Sequence, residues 1–548
     1  MSLVFRPDVD WLHHASTVGV DGIADAVLDA CAVRGGVARP SSQRILVSEP
    51  EGGWANPRLL GWVHEWSTTS TERSSRGAYY TPPDFAAAVL DTAMAGSDLP
   101  HFTVDPACGG GVFLLEILDR LLEAGVAAED CVARVAGIEI NPGAAAVARL
   151  SLRAWQLSSG VAQPGTPRVS VGDSLDRWPS SWPAADLIVG NPPFASPLKS
   201  GAIPASAAAY RNHHSEVLGP YADLAAIHLW RASQMLHDGG RLAFVAPVSI
   251  VNARDTGRLW ERFEAEADAV RVLIPESNPF EASVRVFVPV FEMRRQAASE
   301  RRSLPHAVGE AIGLPALPDL ESAPTLGSIC DATSGFRDEF YGLAEVVGEE
   351  STTSGGDLRK LVTVGSINPL SCSWGRRATR FAKAKWDRPV VDPSKLEGKV
   401  AGFVAGQGKP KVLVATQTKV LEPVLDPVGD VVGVTPTIVV TGAQPAHVAA
   451  VLLAPPVNAI AVQRWFGTGL SDTALRPTAS TLLELPLPDD GAAWNAAANL
   501  IEAHAPAIDG SQTDPDPEVL EEIASLMNSA YGADTAVLAW WLKRAGLG

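Results

Sequence analysis

From about residue 100 to residue 245 the chain alternates short apolar runs with amphipathic stretches of helical spacing. No other feature limits the fold as strongly. Thr103-Val-Asp105, Val135-Ala-Gly-Ile-Glu139, Arg168-Val-Ser-Val171, Asp186–Val189 and Arg241–Val245 read as strands. Between them, 112–124, the Ala-rich 142–157 and 222–236 carry helical periodicity, and Asp238-Gly239-Gly240 reads as the turn before the last strand. Strands joined through helices have the crossover length that parallel pairing needs, so the expectation is α/β, a doubly wound and mostly parallel sheet. Val284–Phe291 adds strands near its end. Helical spacing at 20–32 and 57–67 gives a helical N-terminal region over 1–76. The Pro- and Gly-containing stretch 296–330 reads as a connection. Beyond it, β-rich runs such as Lys411–Ala415 and Thr437–Thr441, with helical spacing at 444–465 and 517–545, predict an α+β C-terminal half.

Composition narrows the class. In 548 residues, 46% hydrophobic and 19% charged, a folded globular chain of two or three domains is expected, not a disordered one. No uninterrupted apolar run of about 18 residues predicts a membrane span, and the first residues lack the pattern of a secretory signal. Five scattered cysteines without C-x-x-C spacing fit a reducing cytoplasm and supply no zinc or disulfide framework. Adjacent His213 and His214 lack a carboxylate partner in sequence and read as solvent or phosphate contacts, so no metal is expected. The net charge of −18 argues against a polyanionic partner until its distribution is read. Between Arg359 and Lys419 stand thirteen Lys and Arg against three acids, Asp387, Asp392 and Glu397. A basic segment in an acidic chain marks a candidate phosphate-facing surface, with Arg376, Arg377, Arg380, Lys383 and Lys385 at its centre.

The chemistry gathers at the strand ends. "VDPACGGGVFLLEIL" (104–118) sets three glycines between a strand and an amphipathic helix, a corner that suits a nucleotide-like ligand. It fits neither G-x-x-x-x-G-K-[ST] nor G-x-G-x-x-G, which disfavours triphosphate and dinucleotide ligands. Glu139 ends the next strand, where an acid can accept from ribose hydroxyls. Asp173 follows the third, where a carboxylate can receive an adenine amino group. "GNPPF" (190–194) follows the fourth: Pro192 and Pro193 fix φ and remove backbone donors, leaving a stiff corner of acceptors. Asp105, Glu139, Asp173 and Asn191 are thus four consecutive polar strand ends.

The ordered set "GAYYTP" (77–82), "DPACGGGVFL" (105–114), "GIEINP" (137–142), "GD" (172–173) and "GNPPF" resembles the gamma-class N6-adenine DNA methyltransferases of the restriction–modification type. "DLAAIHLWRASQMLHDGGRLAFVAP" (223–247) is similar to that family's last helix and strand, and "NPFEASVRVFVPVFE" (278–292) to its closing β-hairpin. "TSGFRDEF" (333–340), "VGSINPL" (364–370) and the stretch 465–488 resemble recognition regions. One departure is Gly110, where the family usually carries serine. The resemblance implies a Rossmann-like, S-adenosylmethionine-dependent catalytic domain at 77–295, a DNA target-recognition domain at 331–490 and a C-terminal helical segment at 491–548. It places Tyr80, Thr81, Asp105, Ala107, Gly109, Glu139 and Asp173 toward S-adenosylmethionine. Asn191, Pro192, Pro193 and Phe194 become the catalytic corner, with Phe194 stacking on a flipped adenine.

The implied partner is double-stranded DNA, with other subunits of a restriction or defence system as further partners and no membrane. Methyl transfer to RNA or to a protein glutamine uses the same corner and stays open, as does a partner-dependent DNA-binding subunit. Residues 195–221 lack clear periodicity and read as a gating loop.

Overall fold

The computed structural model describes residues 9–38, 48–50, 53–67, 81–194, 203–280, 284–295, 301–335, 337–353, 357–442, 444–467, 474–505, 507–511 and 514–547. Tyr80 and part of the 465–488 stretch lie outside them. The chain divides into two compact units, Met1–Ala311 and Ile312–Gly548, and the division falls within the expected connection.

The first unit is built on eight strands: β1 (Thr103–Asp105), β2 (Val135–Glu139), β3 (Arg168–Val171), β4 (Ala185–Gly190), β5 (Leu236–Phe244), β6 (Ala246–Pro247), β7 (Ala267–Leu273) and β8 (Val286–Met293). They run in the order β3-β2-β1-β4-β5-β8, with β6 and β7 both pairing with β8. The first four pairings in that order are parallel, and all three pairings of β8 are antiparallel. Strand order reverses between β1 and β4, the place where a doubly wound sheet opens a crevice at its carboxyl edge.

The 278–292 stretch does not form a hairpin by itself. Among the described residues only Val286–Met293 is a strand there, and its antiparallel partner is the earlier Ala267–Leu273. The alternation Val286-Phe-Val-Pro-Val-Phe begins too late, after Asn278-Pro279, for a second strand to precede it.

Helices α1 (Val9–Arg34), α2 (Leu59–Ser67), α3 (Pro83–Met94), α4 (Val112–Glu123), α5 (Pro142–Ser158), α6 (Ala205–His213) and α7 (Leu224–Ser233) surround the sheet. The apolar face of α4 supplies Phe113, Leu114, Ile117, Leu118 and Leu121 to the core beneath it. α1 bends at Gly19, whose φ is 74°. With α2 it buries Trp11, Leu12, Leu60 and Trp62 in one cluster with Val147, Ala154 and Leu157 of α5. The N-terminal helices therefore share a core with α5 beside the sheet. Arg58, just before α2, donates to Glu116 Oε1 at 2.6 Å and to Asp119 Oδ2 at 2.5 Å on α4, and Asp119 also accepts from the Trp155 indole. Burying a guanidinium requires such pairing.

α6 corrects the expectation of a loop at 195–221. Ala205-Ser-Ala-Ala-Ala has high helix propensity, although its weak amphipathicity leaves no periodic trace. His214, after α6, packs on the rings of Tyr210 and Trp230.

The second unit is α+β. Cys330–Ser334, Lys411–Ala415, Glu422–Asp426 and Ile438–Gly442 form one four-stranded antiparallel sheet. Val347–Glu349, Arg359–Val362, Pro389–Val391 and Val431–Gly433 form another. Helices Pro445–Leu453, Pro455–Arg464, Gly491–His504, Pro517–Ala530 and Thr535–Ala545 close the larger core, including residues beyond 491. Among the described residues no single helix is long and apolar enough to cross a membrane.

Candidate functional site

A cavity of about 300 Å³ opens at the β1/β4 strand-order reversal. Thr81, Asp105, Ala107, Gly109, Glu139, Asp173, Asn191 and Pro193 all line it. The four strand ends meet because parallel strands share one carboxyl edge, and β3-β2-β1-β4 are neighbours.

The glycine loop is held from beneath. Cys108 N–H donates to the Ile138 carbonyl at 3.0 Å, and Gly109 N–H donates to Glu139 Oε2 at 2.9 Å. Glu139 Oε1 accepts from Asn141 N–H at 2.7 Å. Each carboxylate oxygen has a second lone pair, so these bonds orient Glu139 without exhausting it. Gly111 caps α4 at φ 92°, a left-handed conformation costly for other residues.

Gly110 explains the departure from serine. A Cβ there would stand 3.1 Å from Gly61 Cα on α2 and 3.7 Å from Val147 Cγ1. The loop and the N-terminal helix meet backbone to backbone, with no space for a hydroxymethyl group.

Asp105 is buried, and its Oδ1 accepts from Ala107 N–H at 3.0 Å. Burial pushes its carboxyl up to about 8; the Ala107 bond opposes that rise and nearby Glu139 adds to it. Asp105 lies against Gly190, where a Cβ would come 2.6 Å from its Oδ1. The glycine of "GNPPF" thus lets the first strand end approach the fourth. Asn191 Nδ2 donates to Thr81 Oγ1 at 3.1 Å, which presents the amide oxygen as the accepting end. Asp173 Oδ1 accepts from Leu175 N–H at 2.9 Å, and its Oδ2 accepts from Ser206 Oγ on α6 at 2.5 Å.

Two members of the corner stand elsewhere. Pro192 is buried off the cavity wall. Phe194 is 7% exposed and belongs to the buried cluster of Phe85, Val189 and Phe280. The stacking platform expected of Phe194 is therefore packed into the core in this structure, four residues past the end of β4.

Several lining residues carried no sequence signal. Gly61, Trp62, His64 and Glu65 come from α2, and His228 from α7. Burial draws His228 down to about 4, against the opposing influence of Asp173, so its imidazole is neutral; burial also lowers His64. Ile140, 64% exposed at the rim, offers an apolar contact for a flat ring. Helical spacing announced α2 and α7 but not which turn would face the cavity. Among the described residues no cluster of His, Cys, Asp and Glu is arranged to hold a metal.

The basic residues lie in the second unit. Thr379–Phe381 and Ala384–Trp386 form a β-hairpin with Arg380 directly opposite Lys385 and Lys383 in the turn. Ala382 and Lys383 have φ of 50° and 66°, the pairing of a two-residue type I′ turn. Arg377, Arg380, Lys383 and Lys385 are exposed. Arg376 is ion-paired with Asp514 at 2.8 Å. Arg359, Lys360, Arg388, Lys395 and Lys411 also have carboxylate partners, so the local excess of positive charge is partly neutralised.

Comparison with known proteins agrees with the strand-end reading. Residues 57–275 match the family model described as N-6 DNA Methylase. The Type II methyltransferase M.PaeR7I of Pseudomonas aeruginosa is 27% identical over 274 residues, 46% of this chain and 46% of that protein. A tRNA1(Val) (adenine(37)-N6)-methyltransferase of Porphyromonas gingivalis is 33% identical over 166 residues, 29% of this chain and 56% of the relative. The chain spans about half the length of the curated relatives it matches. Among solved structures, the Type IIL restriction-modification enzyme MmeI in complex with DNA superposes with a TM-score of 0.55 at 14% identity. That match covers 90% of this chain and 81% of the other and carries the likeness of fold across both units.

Proposed function

We propose that this chain, whose residues 57–275 belong to the N-6 DNA methylase family, methylates the N6 amine of an adenine in DNA within a restriction–modification system. S-adenosylmethionine is the proposed donor, and double-stranded DNA the partner. The observation that carries this reading is the convergence of Asp105, Glu139, Asp173 and Asn191 on one cavity at the strand-order reversal.

The residues present fit the donor. Glu139 is a carboxylate suited to a cationic, ribose-bearing ligand, and Asp105 beside it is a protonated acid that can donate or accept a hydrogen bond. Asp173 is an acceptor for an amino group, and Ile140 and Leu175 offer apolar surface. The space beside Gly109, where a Cβ would meet nothing within 4 Å, leaves the loop open for close approach. When bound, S-adenosylmethionine supplies an activated methyl group on a sulfonium, a good leaving group.

The chain's own work is orientation. The exocyclic amine of adenine is a poor nucleophile because its lone pair is delocalised into the ring. Asn191 Oδ1 and the Pro192 carbonyl, accepting its two N–H bonds, hold the nitrogen pyramidal and aim the lone pair. Prolines keep those acceptors stiff, which is preorganisation and not acid–base chemistry. An adenine must leave the duplex to reach the corner, at a cost of a few kcal/mol. Phe194 backs the corner, and its ring must leave the core to stack on the base.

Arg377, Arg380, Lys383 and Lys385 are the proposed DNA contacts, with Arg376 held toward Asp514. Like charges directly opposite in a hairpin are destabilising. Arg380 and Lys385 therefore form a pair that gains from an anion between them, as a phosphate backbone supplies.

The test is methyl transfer from radiolabelled S-adenosylmethionine to mixed genomic DNA, tRNA and protein. Label in DNA supports the reading, and label confined to RNA or protein rejects it. The RNA arm is required because one relative of this chain is a tRNA methyltransferase. Single-molecule sequencing of the labelled DNA then identifies the modified sequence.

A further inference from the structure

We infer that a second cavity in the first unit, outside the cofactor site, is a docking site for a backbone phosphodiester of the nucleic-acid substrate. It has a volume of about 500 Å³ and is lined by Arg211, Asn212, Ser215, Tyr221, Asp255 and Arg258, among others. The inference rests on the methyl-transfer reading above.

Charge makes this cavity distinctive. The chain holds 62 acids for 44 Lys and Arg, so a guanidinium has many carboxylates to meet. Seven arginines of the first unit do so: Arg58, Arg120, Arg241, Arg262, Arg294, Arg295 and Arg302 form ion pairs. Among the described residues neither Arg211 nor Arg258 has a carboxylate partner. Arg211 Nε is buried with no hydrogen-bond partner there, while Arg258 reaches only the Ser215 carbonyl at 3.4 Å. The one acid on the wall is Asp255, whose Oδ1 accepts from Tyr221 N–H at 3.3 Å.

Two guanidiniums without a carboxylate partner stand on one cavity wall, and an oxyanion between them gains charge-assisted bonds. Two planar guanidiniums beside an amide and a hydroxyl are the donor set of a tetrahedral oxyanion, which a phosphodiester presents.

Position selects the substrate backbone. Arg211 lies on α6, the helix whose Ser206 donates to Asp173 in the cofactor cavity. Five residues of helix separate the two, roughly 7.5 Å along the axis. One helix therefore links the two cavities, which places the second beside the reaction site on the same unit. The chemistry is shared by a phosphodiester and by free phosphate, and the test separates them.

The full-length Arg211→Gln/Arg258→Gln variant is compared with the parent. Measured quantities are affinity for duplex DNA against salt concentration, affinity for S-adenosylmethionine, and binding of inorganic phosphate by calorimetry. The inference predicts an affinity loss of about tenfold and a fall of about one in the slope of log K against log salt. Cofactor affinity should be unchanged, and the parent should not bind millimolar inorganic phosphate at this cavity. An unchanged slope, or saturable phosphate binding that the variant loses without weaker DNA binding, overturns it. Arg258→Gln alone, at an exposed position, gives the same readout if the double variant fails to fold, and Arg258→Lys should restore the slope. A parent that binds DNA while the variant's slope is unchanged defeats only this inference. A parent that neither binds nor methylates DNA defeats the methyl-transfer reading itself.

Discussion

The cofactor cavity and the basic hairpin are both sets of polar side chains grouped by β-structure, yet they are assembled in opposite ways. In the cavity, every named carboxylate is tied to a backbone N–H or hydroxyl within its own unit: Asp105 to Ala107, Glu139 to Gly109 and Asn141, and Asp173 to Leu175 and Ser206. On the hairpin, Arg380, Lys383 and Lys385 are exposed, and Arg380 stands opposite a like charge. The first arrangement is preorganised before any ligand arrives. The second is completed by its ligand, so its energetics depend on salt while those of the cavity do not.

The sharpest way to break this contrast is Asn191→Ala. It should reduce methyl transfer by roughly a thousandfold or more and leave S-adenosylmethionine affinity within about twofold, measured by single-turnover kinetics and calorimetry. Retained turnover would remove Asn191 from the chemistry. Arg380→Glu with Lys385→Glu comes next: DNA affinity should fall by about a hundredfold, and the salt slope should flatten by roughly two. Arg376→Glu should do less, because Asp514 already holds Arg376. Equal effects would mean that pairing does not shield it.

Thr81→Val tests whether the cavity orders its amide through the Thr81 bond to Asn191. We expect kcat to drop about tenfold with cofactor affinity little changed, and Thr81→Ser to restore it; a loss of cofactor affinity alone would move Thr81 to the cofactor. Gly110→Ser restores the family's usual residue but meets Gly61. Cofactor affinity should fall a few-fold, and a rise would show that α2 yields.

A further test concerns pH. Asp105 holds its proton up to about 8 in the folded protein, against an ordinary value of 3.8. The folded state thus binds a proton that the unfolded chain releases. The resulting stability is full below about pH 4 and is lost as pH rises toward about 8. In denaturant titrations, Asp105→Asn should lose less stability than the parent across that window.

Strand ends were legible because period and topology are both local quantities: once strands alternate with helices, their carboxyl ends must share an edge. The fold class followed from the same alternation. What could not be read came from tertiary packing. Ser206 sits in an alanine run without amphipathic period, and His228 on a helix whose facing turn the sequence does not specify. Phe194 has the right chemistry for stacking but follows an apolar strand, and the core claimed it. The basic segment misled by counting, since Asp514 lies 138 residues from the Arg376 it neutralises. Charge on a surface is a property of neighbours in space.

The contact between Gly61 and Gly110 separates a complete motif set from a complete site. A chain trimmed to begin at Thr81 would keep Asp105, Glu139, Asp173 and Asn191, and with them most of the pattern that identifies the family. It would lose the α2 wall of the cavity and the Arg58 clamp on Glu116 and Asp119. Such a fragment would be recognisable by its sequence while lacking one side of its cavity, so homology alone is a poor guide to where a functional fragment of this chain can start.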